Sequence, residues 1–158
     1  MIFQTPLIKG ALIKRYKRFL ADIELENGHF MTAHCPNSGA MQDLTDPGTP
    51  VWVSKSPNTN RKLPFTWEMA EVDGTFVGMN TSNPNHLVEE AIRNGVIREL
   101  QDYQSLRREV SYGKNSRIDI LLETPSKPLT YVEVKNVRLK RGKTAAFPSS
   151  ITTRGAKH

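Results

Sequence analysis

Cysteine is almost missing from this chain: Cys35 is the only one in 158 residues. An intrachain disulfide is therefore excluded, and stability must come from packing. A single Cys beside His34 reads as a packed thiol rather than a nucleophile or zinc ligand. No apolar run approaches the ~20 residues of a membrane-spanning helix. The opening Met1-Ile2-Phe3-Gln4-Thr5-Pro6 lacks the layout of a secretory signal. With no disulfide chemistry and no signal, a cytoplasmic location is the default expectation, with no membrane partner. Internal repeats and low-complexity tracts are absent. So is any helix-turn-helix pattern or zinc-finger spacing, which argues against a conventional transcription factor.

Acidic residues are also missing from one end. The last is Glu133, and after it come Lys135, Arg138, Lys140, Arg141, Lys143, Arg154 and Lys157. The formal net charge is +6, and this unbalanced end accounts for it. A second basic cluster, Lys14, Arg15, Lys17 and Arg18, lies near the N-terminus, and Arg61-Lys62 adds a third. Such an imbalance points to nucleic acid, held mainly through its phosphate backbone. The plainer alternative is that the basic runs are solvated faces.

Residues 1–80 read as all-β. Alternating apolar runs predict strands at 7–14, 19–26, 29–34, 50–54, 65–72 and 75–79. Glu26-Asn27-Gly28 and Val72-Asp73-Gly74 are hairpin signals between them. That many short strands suit a small barrel of the oligonucleotide-binding (OB) type. Tyr16, Phe19, Phe30, Trp52, Phe65 and Trp67 include candidates for base stacking, although a small barrel must spend most of its large side chains on its interior. After residue 80 the pattern changes. Asn83-Pro84 reads as a helix cap with a first-turn proline, followed by helical spacing to Asn94 and a stop at Gly95. A further helical turn is expected over 96–100, then strands at 107–112, 117–123 and 130–137, a loop over 142–150 and the start of a helix from Thr152.

The two later strands carry the most pointed chemistry. Asp119 lies in Ser116-Arg117-Ile118-Asp119-Ile120-Leu121-Leu122. Glu133 and Lys135 lie in Tyr131-Val132-Glu133-Val134-Lys135. Side chains two apart on a strand share a face. If the strands pair, two carboxylates and an ammonium meet. A divalent cation relieves the repulsion between the carboxylates, and an all-oxygen set suits Mg²⁺ or Mn²⁺. Lysine beside it would orient a water or balance developing negative charge. The bland reading is ordinary alternation with one solvated ion pair. Glu89 or Glu90 on the preceding helix would complete the acidic group, or else face solvent. Helix, three strands with Asp and then Glu-x-Lys, and part of a helix is the order in which a PD-(D/E)XK nuclease core begins. The fold class expected is α+β overall: an all-β OB-like barrel over 1–80, then an incomplete α/β PD-(D/E)XK nuclease-like domain over 81–158.

The chain resembles the sugar fermentation stimulation protein A family of bacteria and archaea. The resemblance runs through His34-Cys35-Pro36-Asn37-Ser38-Gly39, Val51-Trp52-Val53-Ser54, Asn60-Arg61-Lys62, Thr66-Trp67-Glu68 and Asn85-His86-Leu87-Val88-Glu89-Glu90-Ala91-Ile92. It continues in Ser116-Arg117-Ile118-Asp119, Tyr131-Val132-Glu133-Val134-Lys135-Asn136-Val137 and Thr153-Arg154-Gly155-Ala156-Lys157-His158. It implies an OB-type barrel, a nuclease-like domain, DNA binding without marked sequence preference and a regulatory part in sugar metabolism, maltose especially. By position it assigns Asp119, Glu133 and Lys135 to the nuclease motif and Glu90 to the helix glutamate, with the Val134 carbonyl as a further metal ligand. Ser149 stands where the family usually has Asp after Phe-Pro. The family continues beyond the motif at which this chain stops, so the resemblance implies a truncated product, less stable than a complete homologue.

Three functions follow, in order. The first is a non-sequence-specific DNA-binding protein, with Lys14, Arg15, Lys17, Arg18, Arg61, Lys62, Lys140, Arg141 and Lys143 on the phosphates. The second is a Mg²⁺-dependent nuclease in which Asp119 and Glu133 hold the ion, Lys135 handles the water and Glu90 acts through the metal shell. The third drops nucleic acid in favour of an acidic protein or small molecule.

Overall fold

The computed structural model describes residues 1–39, 41, 43–113 and 116–146, the side chains of Leu139 and Lys140 aside. Two compact units emerge. Among the described residues, one holds 2–81 together with 137–146, and the other holds 82–136 with Met1.

The first unit is a barrel. Its strands are β1 (Ile8–Tyr16), β2 (Leu20–Leu25), β3 (Phe30–His34), β4 (Pro50–Lys55), β5 (Phe65–Val72) and β6 (Thr75–Gly78). They run in the order β3-β2-β1-β4-β5-β6, and a parallel bridge between His34 and Thr66 joins β3 to β5 and closes the cylinder. The β5–β6 hairpin turns at Asp73 and Gly74, both with positive φ, as a tight two-residue connection requires. Leu12, Ala21, Ile23, Ala33, Val51, Val53, Trp67 and Ala70 fill the interior. Gly10 is needed on β1: a Cβ there would lie 2.6 Å from the Glu24 carbonyl oxygen and 2.7 Å from Ile23 Cγ2.

Trp67 and Ala70 are three apart yet both face inward, which strict alternation forbids. The reason is a bulge: Trp52 pairs with Met69 and Val53 with Trp67, leaving Glu68 as the extra residue. Glu68 is consequently only 6% exposed. Its carboxylate accepts hydrogen bonds from the Ser54 hydroxyl at 2.7 Å and from Asn80 Nδ2 at 2.9 Å. A buried carboxylate is tolerated when it is satisfied in this way.

Short strands β10 (Leu139–Arg141) and β11 (Thr144–Ala146) pair as a hairpin in the same unit. This corrects the expected loop over 142–150 within the described residues. Gly142 at φ 59° makes the turn.

The second unit is a helix and an antiparallel sheet. Helix α1 (Asn83–Arg93) is followed by a short 3₁₀ turn, Arg98–Leu100, and by β7 (Ser105–Tyr112), β8 (Ser116–Glu123) and β9 (Thr130–Val132), paired in the order β7-β8-β9. The helix begins one residue earlier than expected: Ser82 is the N-cap and Pro84 falls in the first turn. It ends at Gly95 (φ 72°), with Val96 N–H donating to Ala91 O and Gly95 N–H to Ile92 O. That pair of bonds is the Schellman arrangement. Ile92, Ile120 and Leu122 form the core, with Val88, Leu106, Val132 and Val134 packed on it. The last strand is shorter than expected. β9 stops at Val132, so Glu133 and Lys135 follow the strand rather than lie in it. The helix expected from Thr152, the Phe147-Pro148-Ser149 loop and the Lys140 side chain lie outside the described residues.

Candidate functional site

β8 alternates Ile118, Ile120 and Leu122 toward the core, so Asp119 falls between them and remains partly exposed. Its two oxygens are both engaged. Oδ2 accepts the backbone N–H of Val134 at 2.7 Å, and Oδ1 accepts Asn85 Nδ2 at 2.9 Å. Asp119 is thereby joined to the Glu133-Val134-Lys135 segment through its central N–H. The Glu133 carboxylate and the Lys135 ammonium form an ion pair beside it.

Glu109 is a member of this group that the sequence reading missed. The same Asn85 nitrogen donates to Glu109 Oε1 at 3.0 Å, so two carboxylates meet on one amide. Glu109 sits inside β7 at φ 51°, in the left-handed region, and the ladder skips from Arg108–Ile120 to Val110–Ile118 around it. Nothing in a glutamate flanked by Arg108 and Val110 signals that conformation.

The helix glutamates divide. Glu89 is held by Arg93 at 2.9 Å and Arg108 at 3.1 Å. Burial would raise its pKa, but the two guanidiniums keep it below the usual value. Glu90 is exposed and accepts the Met1 ammonium at 2.6 Å. No three His, Cys, Asp or Glu residues are poised around one metal position among the described residues. Asp119 and Glu109, which meet on the Asn85 amide, nevertheless offer only oxygen donors, which suits a hard divalent cation. Turning the Asn85 amide would replace its donor with an acceptor, and that single rotation would release both carboxylates toward a cation.

The predicted phosphate contacts on the barrel spread unevenly. Lys17 and Arg18 form the exposed β1–β2 turn, both at positive φ. Lys14 lies 3.5 Å from Asp22 and over the Tyr16 ring. Arg15 turns inward, donating through Nη2 to the carbonyls of Arg18 and Asn37, each at 2.9 Å. Arg61 donates to Thr66 Oγ1 at 3.1 Å, and Lys62, Arg141 and Lys143 are exposed. Among the described residues, Arg15, Lys17, Arg18, Arg61 and Lys62 pair with no carboxylate. Of the aromatics, Trp67 is core and Phe65 packs on it. Phe19 and Phe30 are exposed, and Trp52 meets Phe76 edge-on at 4.9 Å. Cys35 is fully buried, as a packed thiol should be.

His34, on the barrel-closing strand, has its pKa lowered by burial and by Arg61. The unfolded chain then binds a proton more readily than the folded one, so this contribution is complete above about pH 6.5 and is lost as pH falls below it. Thermal midpoints should therefore drop between pH 7 and pH 5.5 in the parent protein and drop less in His34→Gln. Equal pH slopes would contradict this.

A family model described as the SfsA N-terminal OB domain matches residues 13–79, and one described as the Sugar fermentation stimulation protein RE domain matches 82–158. A sugar fermentation stimulation protein homolog from Rhodospirillum centenum is 57% identical over the whole of this chain and 68% of its own length. The chain belongs to the sugar fermentation stimulation protein (SfsA) family. The homolog from Maricaulis maris is 56% identical with the same coverage. A solved structure described as Pyrococcus furiosus SfsA in complex with Ca²⁺ superposes with a TM-score of 0.85 at 25% identity, covering all of this chain and 66% of that one. The chain thus spans about two thirds of the length of its SfsA relatives. The OB-like barrel and the helix-and-sheet unit that follows it agree with the family's two domains. No helix among the described residues is long and apolar enough to cross a membrane.

Proposed function

We propose that this SfsA-family chain binds DNA through its phosphate backbone, without sequence preference, in a role tied to sugar fermentation. The observation that carries this reading is the set of barrel cations without carboxylate partners among the described residues: Lys17 and Arg18 on the β1–β2 turn, and Arg61 and Lys62 ahead of β5. Unpaired cations on a folded surface attract a polyanion and release its counterions on contact. They sit on a turn and a loop, and cations that contact phosphates position a strand without reading its sequence.

A second reading, a divalent-metal-dependent nuclease, is favoured by the Asp119–Asn85–Glu109 arrangement and by the Ca²⁺ bound in the Pyrococcus furiosus relative. A Mg²⁺ or Mn²⁺ ion would supply an activated water and charge neutralisation. Asp119 and Glu133, with Glu109 in place of Glu90, which pairs with the Met1 ammonium, would hold it, and Lys135 would steer a proton or a water.

Fluorescence anisotropy with an arbitrary duplex in chelator, followed by supercoiled plasmid with Mg²⁺ or Mn²⁺, separates the two. Binding retained in chelator with intact plasmid supports the DNA-binding reading. Metal-dependent nicking lost in Asp119→Ala and Lys135→Ala would establish the nuclease. Neither binding nor nicking would overturn both.

A further inference from the structure

Among the described residues, three buried side-chain nitrogens have no hydrogen-bond acceptor: Arg15 Nε, Asn37 Nδ2 and Arg138 Nη1. All belong to the barrel unit and are neighbours. Arg15 reaches the Asn37 carbonyl. Gly39 lies between the other two, its Cβ position being 3.2 Å from Asn37 Oδ1 and 3.6 Å from Arg138 Nη2. Arg138 is close enough to Arg15 that their repulsion, added to burial, lowers its pKa. Neither guanidinium pairs with a carboxylate among the described residues.

This is an expensive arrangement. Arginine does not shed its proton, so two like charges stand near one another in a half-buried place with no carboxylate opposite them among the described residues. Asn37 is 2% exposed, and an amide that deeply buried with a free N–H is rare in folded proteins. What is missing is an acceptor with several oxygens and negative charge. We propose that Arg15, Asn37 and Arg138 form a binding site for one phosphate-type oxyanion. A phosphate-type oxyanion can accept the unpaired nitrogen of each guanidinium and of the amide at once, and its charge balances the two cations. Gly39 carries no side chain against Arg138 Nη2 or against Asn37 Oδ1, where a Cβ would be tight, and an anion would enter by displacing the Asn37–Gly39 segment. The oxyanion is either free phosphate or one phosphodiester of a strand lying on the barrel. The site stands independently of the DNA-binding reading, because inorganic phosphate alone tests it.

The experiment titrates the full chain with inorganic phosphate at constant ionic strength, by calorimetry and by the thermal midpoint. Saturable binding with a rising midpoint is expected, about tenfold weaker in Arg138→Gln, partly restored in Arg138→Lys and unchanged in Lys9→Ala. If Arg138→Gln fails to fold, the guanidinium nitrogen resonances of the parent protein replace it: saturable shifts at Arg15 and Arg138 support the site. Shifts confined to Arg18 and Arg61, or no saturable binding, overturn it. Competition by a short oligonucleotide assigns the site to a strand phosphodiester. Phosphate binding that an oligonucleotide leaves untouched assigns it to the free anion.

Discussion

Replacing Trp67 by alanine is expected to cost about 3–5 kcal/mol, the largest loss of any single substitution here. Trp67 is fully buried at the centre of the barrel, and its indole N–H donates to the Met69 carbonyl at 2.9 Å. Alanine would leave a cavity in the barrel interior and remove that donor as well. Domains of this size carry roughly 5–15 kcal/mol in total, so the thermal midpoint should fall by about 10 °C or more. The control is Trp52→Ala. Trp52 is half-buried on the outer surface against Phe76, and its loss should shift the midpoint much less. Thermal melts of the two variants, followed by circular dichroism, provide the check. A Trp67→Ala midpoint as high as that of Trp52→Ala would mean that the barrel is not organised around Trp67.

The second large effect concerns DNA affinity. If about five phosphates are neutralised, the logarithm of affinity falls with the logarithm of salt at a slope of about −4.5, and a fourfold rise in salt weakens binding roughly 500-fold. Removing Lys17, Arg18 and Lys62 together should reduce that slope by about 3. All three are exposed and unpaired among the described residues, so their loss leaves the fold intact. Anisotropy titrations over a salt series give both numbers. Weak binding that ignores salt would instead favour an acidic protein or small molecule as the partner.

Barrel strands were readable in the sequence because each carries its own signal. Alternation marks the faces, and Asn27-Gly28 and Asp73-Gly74 mark the turns. Closure was not readable, because it rests on one bridge between His34 and Thr66, thirty-two positions apart. The Glu68 bulge was equally hidden. Alternation would put Glu68 opposite in phase to Trp67, and only the ladder shows that the phase slips there. The β10–β11 hairpin escaped because three-residue strands are too short to show a period. In the second unit the juxtaposition was readable where the local pattern was strong: Asp119 does meet the Glu133–Lys135 segment, through Val134 N–H. Asn85 and Glu109 were not, because a shared amide is a tertiary contact. Arg138 was counted among the basic residues, but its unpaired burial beside Arg15 depends on the fold.

Glu109 has one more consequence. A glutamate at φ 51° in the middle of a strand carries roughly 1–2 kcal/mol of backbone strain that glycine would not. The easiest stabilising change at this position is therefore also the one that deletes the carboxylate facing Asn85. Drift toward thermostability and retention of the acidic group pull this residue in opposite directions. Position 109 is thus a place where a lineage's history would record which of the two it needed more.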